Sequence, residues 1–283
     1  MASFTNFATL SYNGGTTNSN IVTGEILEAL TAVKTAVSAN YSAGDRITYA
    51  LSLVNTGTAA ITDYTVTDNL GGYTVGANTV YPLAYNAGTV RYYINGVLQT
   101  APTVTAGPPL TVTGLTVPAG GSAVLIYETT ATPVAPLATG SSITNTATIT
   151  GGGLTNPITA QATLETANSA DLTISKALSP TTVTENGQIT YTFVISNTGN
   201  TEATATGNVV VTDTFAPILR NIAVTYNGTA WTEGTNYTYN AVTGVFTTLA
   251  GQITVPAATF TQNTDGTFTV TPGTATLVIT GTI

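Results

Sequence analysis

The chain of 283 residues carries a formal net charge of −8, and only five of its residues are lysine or arginine. So few basic residues exclude the clustered positive charge with which proteins hold nucleic acid. The sequence contains no cysteine and no histidine. It therefore lacks disulfides, thiol nucleophiles, the usual zinc ligands and the commonest general base. We expect no metal, no cofactor and no enzymatic activity.

The length and composition indicate two all-β domains. A chain of this size has room for two separate cores, and its 42% hydrophobic content is too high for a disordered protein. Short alternating runs rich in Thr, Val and Tyr recur at roughly 8–12 residue intervals between Gly, Pro and Asn, a pattern typical of antiparallel β-sandwiches.

The first residues do not look like a secretory signal. Met1–Asn6 has neither a basic region nor the start of a continuous apolar run, and no stretch of about 18 apolar residues would span a bilayer. We expect no signal peptide in this sequence and no membrane insertion.

Residues 1–14 are predicted to form a strand that resembles one near the end of the first domain. Phe4–Gly14 aligns without gaps with Ile143–Gly153 and places Asn6 on Asn145. Strand periodicity puts four residues of this segment on one face: Phe4, Asn6, Ala8 and Leu10. We interpret residues 1–14 as a donor strand; the alternative is a chance similarity between Thr- and Asn-rich segments.

Residues 15–29 are predicted to be a linker. Fully extended at about 3.4 Å per residue, the linker would reach roughly 50 Å. The donor strand then either folds back into the second domain of its own chain, with the linker nearly taut, or enters a neighbouring subunit.

Residues 30–167 and 168–283 are predicted to be two homologous domains. Leu30–Lys34 and Leu172–Lys176 match, and each is followed, twelve residues after its lysine, by a strand that ends in Asn-Thr-Gly. A Val-Thr-Asp strand then follows in both copies, ending at Asp68 and Asp213. The repeat predicts two tandem immunoglobulin-like, Greek-key β-sandwiches.

Three polar residues of the first domain are predicted to point into its core. Period-two counting places Lys34, Asp68 and Asn145 on the same faces as the apolar residues of their strands. The chain has only two lysines, Lys34 and Lys176, and both occupy the same position of the repeat. Because buried charges are rarely tolerated unpaired, we expect at least a buried Lys34–Asp68 pair.

The second domain is predicted to lack its last strand. The strand at 122–132 has its counterpart at 274–283, where this sequence ends, so no counterpart of the Asn145 strand follows. Such a sandwich exposes unpaired backbone groups and an apolar groove. We expect the N-terminal donor strand to complete it.

These motifs resemble the repeat domains of Gram-positive surface proteins (the DUF11 type), which are related to the isopeptide-forming domains of fimbrial subunits. The resemblance is carried by the lysine strand, the Asn-Thr-Gly run, the Val-Thr-Asp strand and Ile143–Ile149. It implies a structural role in a stalk, pilus or coat. In isopeptide-forming members a lysine of the first strand bonds to an asparagine of the last, assisted by a buried acid.

The resemblance implies two cross-links in this chain. The first joins Lys34 to Asn145 within one domain, with Asp68 as the assisting acid; Glu128 is the alternative acid, although Thr280 stands at its aligned position in the second domain. The second cross-link joins two subunits, with Asp213 assisting: Lys176 of one to Asn6 of the next.

We therefore expect a head-to-tail homopolymer: the subunit of an extracellular filament on a cell or spore surface, with an unidentified surface anchor. Export follows either from a signal removed earlier or from cell lysis. The competing interpretation is a monomeric stalk, an adhesin or an exosporium binding module that uses its end loops.

Overall fold

The structure, a computed structural model, describes residues 2–26 and 29–283. Apart from one short 3-10 turn at Ala205–Gly207, all the regular structure in these ranges is β-strand. No helix in the described ranges is long and apolar enough to cross a membrane. The chain divides into two compact units: residues up to Ala135 with Ser142–Glu165, and Pro136–Ser141 with Thr166–Ile283.

The N-terminal residues form a β-hairpin, called here the N-terminal hairpin (residues 2–26). Its strands are β1 (Ala2–Asn6), β2 (Thr9–Tyr12), β3 (Gly15–Asn18) and β4 (Val22–Ile26). β1 pairs with β4 and β2 with β3, both antiparallel. Residues 15–18 and 22–26 were expected to be linker, but they are strands. The physical reason is the Asn13-Gly14 turn, a sequence that favours tight hairpins and brings the following residues back onto β1 and β2.

Domain 1 is a sandwich built from fourteen strands: β5 (Leu30–Ala36), β6 (Asn40–Tyr41), β7 (Arg46–Asn55), β8 (Ile61–Asp68), β9 (Tyr73–Val75), β10 (Asn78–Val80), β11 (Leu83–Tyr85), β12 (Arg91–Ile94), β13 (Val97–Leu98), β14 (Thr103–Thr105), β15 (Leu110–Val117), β16 (Ser122–Ala131), β17 (Ser142–Gly151) and β18 (Ile158–Thr166). One sheet has the order β13-β12-β16-β7-β5 and the other β14-β15-β8-β17-β18-β6. Strand β8 is therefore paired on both sides.

Domain 2 repeats the first sheet of domain 1. Its strands are β19 (Leu172–Ser179), β20 (Gln188–Asn197), β21 (Thr212–Thr214), β22 (Arg220–Tyr226), β23 (Thr229–Trp231), β24 (Tyr237–Asn240), β25 (Val245–Thr248), β26 (Thr259–Gln262), β27 (Phe268–Thr271) and β28 (Gly273–Thr282). The larger sheet has the order β19-β20-β28-β22-β23, and a smaller sheet has the order β21-β25-β24. The all-β sandwich fold predicted from the sequence is confirmed.

The second sheets of the two domains differ beside the Val-Thr-Asp strand. In domain 1, β8 lies between β15 and β17. In domain 2, the described strands pair β21 with β25 on one side only. One edge of β21 thus presents unpaired backbone groups, and the counterparts of β17 and β18 are missing from this edge within the described residues.

The Asn-Thr-Gly motif has a structural explanation in both domains. The buried Asn55 side chain donates hydrogen bonds to the carbonyls of Ala59, at 2.8 Å, and Pro118, at 3.0 Å. Asn197 bonds two loop carbonyls in the same way in domain 2. Because buried carbonyls without partners are costly, the asparagine stabilises the strand end.

Candidate functional site

Lys34 and Asp68 meet in the interior of domain 1, from opposite sheets. Lys34 lies on β5 and Asp68 on β8, and the Lys34 Nζ to Asp68 Oδ2 distance is 2.5 Å. The two side chains are 0% and 1% exposed. Period-two alternation explains why both face inward. The attraction between their opposite charges offsets part of the free-energy cost of removing each from water.

Two further groups hold the Asp68 carboxylate. The Tyr127 hydroxyl donates a hydrogen bond to Oδ2, and the backbone N–H of Leu70 donates to Oδ1 at 2.9 Å. Tyr127 is stacked on Tyr49, with ring centroids 5.6 Å apart. Neither tyrosine was predicted to be a site residue, although Tyr127 alternates with the outward-facing Glu128 and so has the parity of a core residue.

The lysine amine is strongly affected by its surroundings. Burial lowers the pKa of Lys34 to about 8, although the charge of Asp68 and its hydrogen bond act in the opposite direction. Burial also raises the pKa of Tyr127 well above its ordinary value. The Lys34 Nζ atom lies 4.8 Å from the centroid of the Tyr49 ring. The lowered pKa reduces the cost of taking a proton from the Lys34 ammonium, and a neutral amine is the form that a nucleophile needs.

Asn145 completes the site from β17. Its neighbour Ala147 pairs directly with Asp68 across the sheet, so Asn145 lies diagonally beside the carboxylate. Asn145 is fully buried, yet neither its amide oxygen nor its nitrogen makes a hydrogen bond. Its amide lies beside the Tyr49 and Tyr127 hydroxyls, where it opposes the effect of burial on their pKa, but neither contact has hydrogen-bond geometry. An unsatisfied buried amide costs about 1–3 kcal/mol.

Glu128 is not part of this site. It lies on the outer face of β16, where its carboxylate is 3.4 Å from the Arg46 guanidinium and both side chains reach solvent. The alternative in which Glu128 assists bond formation is therefore wrong. The physical reason is the alternation of the strand, which turns Tyr127 inward and Glu128 outward.

Domain 2 contains the same lysine–aspartate pair in an open environment. Lys176 Nζ lies 2.5 Å from Asp213 Oδ2, but the side chains are 40% and 19% exposed. The amine lies 4.5 Å from the centroid of the Tyr191 ring. Ile279 pairs with Tyr191 as Tyr127 pairs with Tyr49 in domain 1, so domain 2 has no phenol at the Tyr127 position.

The face around Lys176 is also uncovered. Ile174 is 55% exposed and Leu178 is 38% exposed, although both share the inward face of β19 with Lys176. In domain 1 the corresponding strand buries Leu30 and Lys34.

The predicted donor residues lie in the N-terminal hairpin. Asn6 pairs with Val22, and Phe4 pairs with Gly24. The side chains of Phe4 and Leu10 are 54% and 63% exposed. The structure thus brings Lys34, Asp68 and Asn145 together in one sandwich, while Asn6 lies in the hairpin and Lys176 in domain 2.

Comparison with solved structures finds domains of Gram-positive pilins and surface adhesins. The major pilin subunit of Bacillus cereus is 14% identical over 96% of this chain and 73% of its own, with a TM-score of 0.36. The C-terminal fragment of a Streptococcus agalactiae major pilin is 15% identical over 81% of this chain and 79% of its own, with a TM-score of 0.37.

A third match is the N-terminal domain of a Streptococcus gordonii adhesin, 14% identical over 48% of this chain, with a TM-score of 0.36. This chain spans only 32% of that adhesin structure, and it spans 27% of a matching glycoside hydrolase from Clostridium perfringens. No protein-family model and no curated protein sequence matches the chain.

Proposed function

We propose that the chain is a non-catalytic structural subunit of a filament on a cell or spore surface. Subunits join head to tail when the N-terminal segment of one enters domain 2 of the next, and Lys–Asn isopeptide bonds stabilise the product. One observation carries this proposal: the same lysine–aspartate pair is closed by β17 in domain 1 and open in domain 2.

In domain 1 the cross-link forms between Lys34 and Asn145. A proton first passes from the Lys34 ammonium to the Asp68 carboxylate, leaving a neutral amine. The amine Nζ then attacks the amide carbon Cγ, which the Asp68 carboxyl polarises through the amide oxygen. The Nζ–Cγ bond forms, the Cγ–Nδ2 bond breaks, and one Nζ proton leaves with the amide nitrogen as ammonia. No electron transfer and no co-reactant are needed.

The buried, unpaired Asn145 amide supports this chemistry. Its donors and acceptor are not committed to other groups, so it is free to rotate toward the amine. Because the amine and the amide are held in the same sandwich, the reaction avoids much of the barrier that a bimolecular encounter would have.

Between subunits, the equivalent bond joins Lys176 to Asn6 of a second copy, with Asp213 assisting. Domain 2 holds its amine and acid at the same 2.5 Å separation as domain 1. The described residues of its second sheet contain no asparagine strand beside β21.

Electron microscopy and detergent gels test the proposal. The purified chain is expected to form fibres that persist as ladders after boiling in detergent. Asn6→Ala and Lys176→Ala fibres are expected to dissociate into single subunits, while a chain lacking residues 1–13 is expected to fold without forming fibres. A stable monomer of the unmodified chain would contradict the filament and favour a monomeric stalk or adhesin.

A further inference from the structure

The N-terminal hairpin resembles the final hairpin of domain 1 in both of its strands, not only in the first. β17 pairs with β18 and β1 pairs with β4, both antiparallel. Asn145 has Ala162 as its partner, and Asn6 has Val22. The two asparagines thus lie at similar distances from the tips of similar hairpins.

The residue pair two positions before the asparagine differs between the two hairpins. In domain 1, Ile143 pairs with Leu164, and both are buried. In the N-terminal hairpin, Phe4 pairs with Gly24, and a Cβ placed on Gly24 would lie 2.4 Å from the Phe4 ring. The large ring therefore lies across the glycine and takes space that two aliphatic side chains share in domain 1.

The free edges of the two partners are complementary. β17 is paired on one edge with β18 and on the other with β8. β2, which aligns with the part of β17 that pairs with β8, is paired with β3 alone among the described residues, and in domain 2 the described strands leave one edge of β21 open. Each open edge carries the unpaired donors and acceptors that the other needs.

The position of each hairpin along the chain follows one rule. β18 ends at Thr166 and the first strand of domain 2 begins at Leu172. β4 ends at Ile26 and the first strand of domain 1 begins at Leu30. Each hairpin therefore directly precedes the first strand of a sandwich, and the second of them completes the sandwich that came before it.

We infer that domain 2 binds the whole N-terminal hairpin of a second copy, in the register with which β17 binds β8. The junction between copies then repeats the construction of domain 1. This inference rests on the proposed function and makes it more specific, because both strands enter and the residue pairs are defined.

The register follows from domain 1. There Asp68, Thr67 and Val66 pair with Ala147, Thr148 and Ile149 in that order. Transferred to the junction, the same pairs become Asp213 with Ala8, Thr212 with Thr9, and Val211 with Leu10 of the second copy. Asn6 then takes the position of Asn145 relative to Lys176.

Engineered cysteines test the register, since the chain contains no cysteine of its own. Thr9→Cys and Thr212→Cys, introduced together, would face each other directly, at a distance that suits a disulfide. Ser11→Cys with Thr212→Cys is the matched control, displaced by two residues along the strand to about 7–8 Å. Both are made in an Asn6→Ala background, so that no isopeptide ladder is present.

Oxidised filaments of the first pair are expected to give a ladder on detergent gels that reductant removes, and the control pair is expected to give monomers. Filaments in which only the control pair cross-links, or neither pair does, overturn the register while the proposed function stands. A disulfide confined to single chains places the hairpin in its own domain 2 and overturns the inference. If the unmutated chain forms no filaments, the proposed function itself fails.

Peptides test the second strand. A peptide of residues 2–26 is expected to block filament growth at a concentration at least about tenfold lower than residues 2–13, because a pre-paired hairpin loses less conformational freedom on binding. A scrambled 25-mer of the same composition controls for nonspecific effects. Equal potency of the two peptides would show that one strand is sufficient and would overturn the two-strand junction.

Discussion

Lys34 and Lys176 occupy the same position in two related sandwiches, and each amine lies 2.5 Å from an aspartate. Their surroundings differ. The Lys34 side chain is fully buried, whereas the Lys176 side chain is 40% exposed. The difference arises from the strands alongside, because β17 covers the first pair and the described part of domain 2 has no strand at that place.

The comparison shows that the lysine–aspartate pair and the strand that covers it are separate parts of the fold. A lysine and an aspartate can be positioned by strands of two facing sheets before the asparagine strand is present. Domain 1 contains both parts, whereas domain 2 holds only the first among its described residues.

The largest expected effect is complete loss of the domain 1 bond. The chain without substitutions is expected to have a mass lower than its sequence mass by one ammonia. The loss becomes two ammonia per chain once Lys176 has also reacted in filaments. Asp68→Ala removes the acid and is expected to restore one ammonia, as is Lys34→Ala. Intact-mass measurement of monomers checks this, with Asp213→Ala as the control that leaves the domain 1 loss unchanged. A folded chain without substitutions that has its full sequence mass would contradict the bond.

Next in size is the cost of leaving a charge without its partner. In an Asn145→Ala background, which prevents the cross-link, Lys34→Met leaves Asp68 buried and unpaired and is expected to destabilise domain 1 by about 3–5 kcal/mol. Lys176→Met in the same background is expected to change domain 2 by no more than about 1 kcal/mol, because water screens the open pair. Hydrogen exchange in each domain measures both values, and equal losses would remove the distinction between the sites.

Tyr127→Phe tests the phenol that only domain 1 provides. Without the hydroxyl, the buried Asp68 carboxylate loses a hydrogen bond worth about 1.5–3 kcal/mol. Tyr49→Phe is the matched control, because the buried Tyr49 hydroxyl makes no hydrogen bond, and its removal is expected to cost less. Urea unfolding of both variants without the cross-link gives the comparison. A larger loss from Tyr49→Phe would reverse the assignment.

Bond formation in domain 1 is expected to slow at alkaline pH. The reactive form, a neutral amine with a protonated carboxyl, holds as many protons as the ion pair, so the rate is flat below the Lys34 pKa of about 8. Above that pH the pair loses its shared proton, Asp68 no longer has a proton to polarise the amide, and the rate falls about tenfold per pH unit. Unreacted chain refolded from urea, with its mass followed over time, checks this. A rate that rises through pH 8 would contradict the role of the acid.

The smallest effect is expected for Glu128→Ala. Its ion pair with Arg46 is open to solvent at 3.4 Å, so its loss is expected to change stability by no more than about 0.5 kcal/mol. The loss of ammonia is expected to be unaffected. A measurably slower bond formation in this variant would indicate that Glu128 assists the reaction.

Strand periodicity accounts for most of what the sequence predicted. It placed Lys34, Asp68 and Asn145 on inward faces, and the structure buries all three. It did not predict the contact of Tyr127 with Asp68. Many tyrosines of this chain have inward parity, and only the packing of one sheet on the other decides which hydroxyl meets a carboxylate.

The expected linker at residues 15–29 shows a second limit. This segment is rich in Thr, Asn and Gly and lacks the apolar alternation of a half-buried strand. Its strands pair with β1 and β2 through backbone hydrogen bonds, which leave little trace in side-chain pattern. The Asn13-Gly14 turn was the available signal.

The short length of β21 bears on which strands would bind its open edge in the proposed filament. Long, flat, apolar edges recruit unrelated strands and seed aggregates. β21 spans only Thr212–Thr214, with a charged residue at its centre, so an arbitrary strand would gain few backbone bonds there. A matching hairpin would gain apolar burial beside Ile174 as well. If strands are exchanged as proposed, we expect this edge to bind unrelated strands weakly and the matching hairpin more tightly.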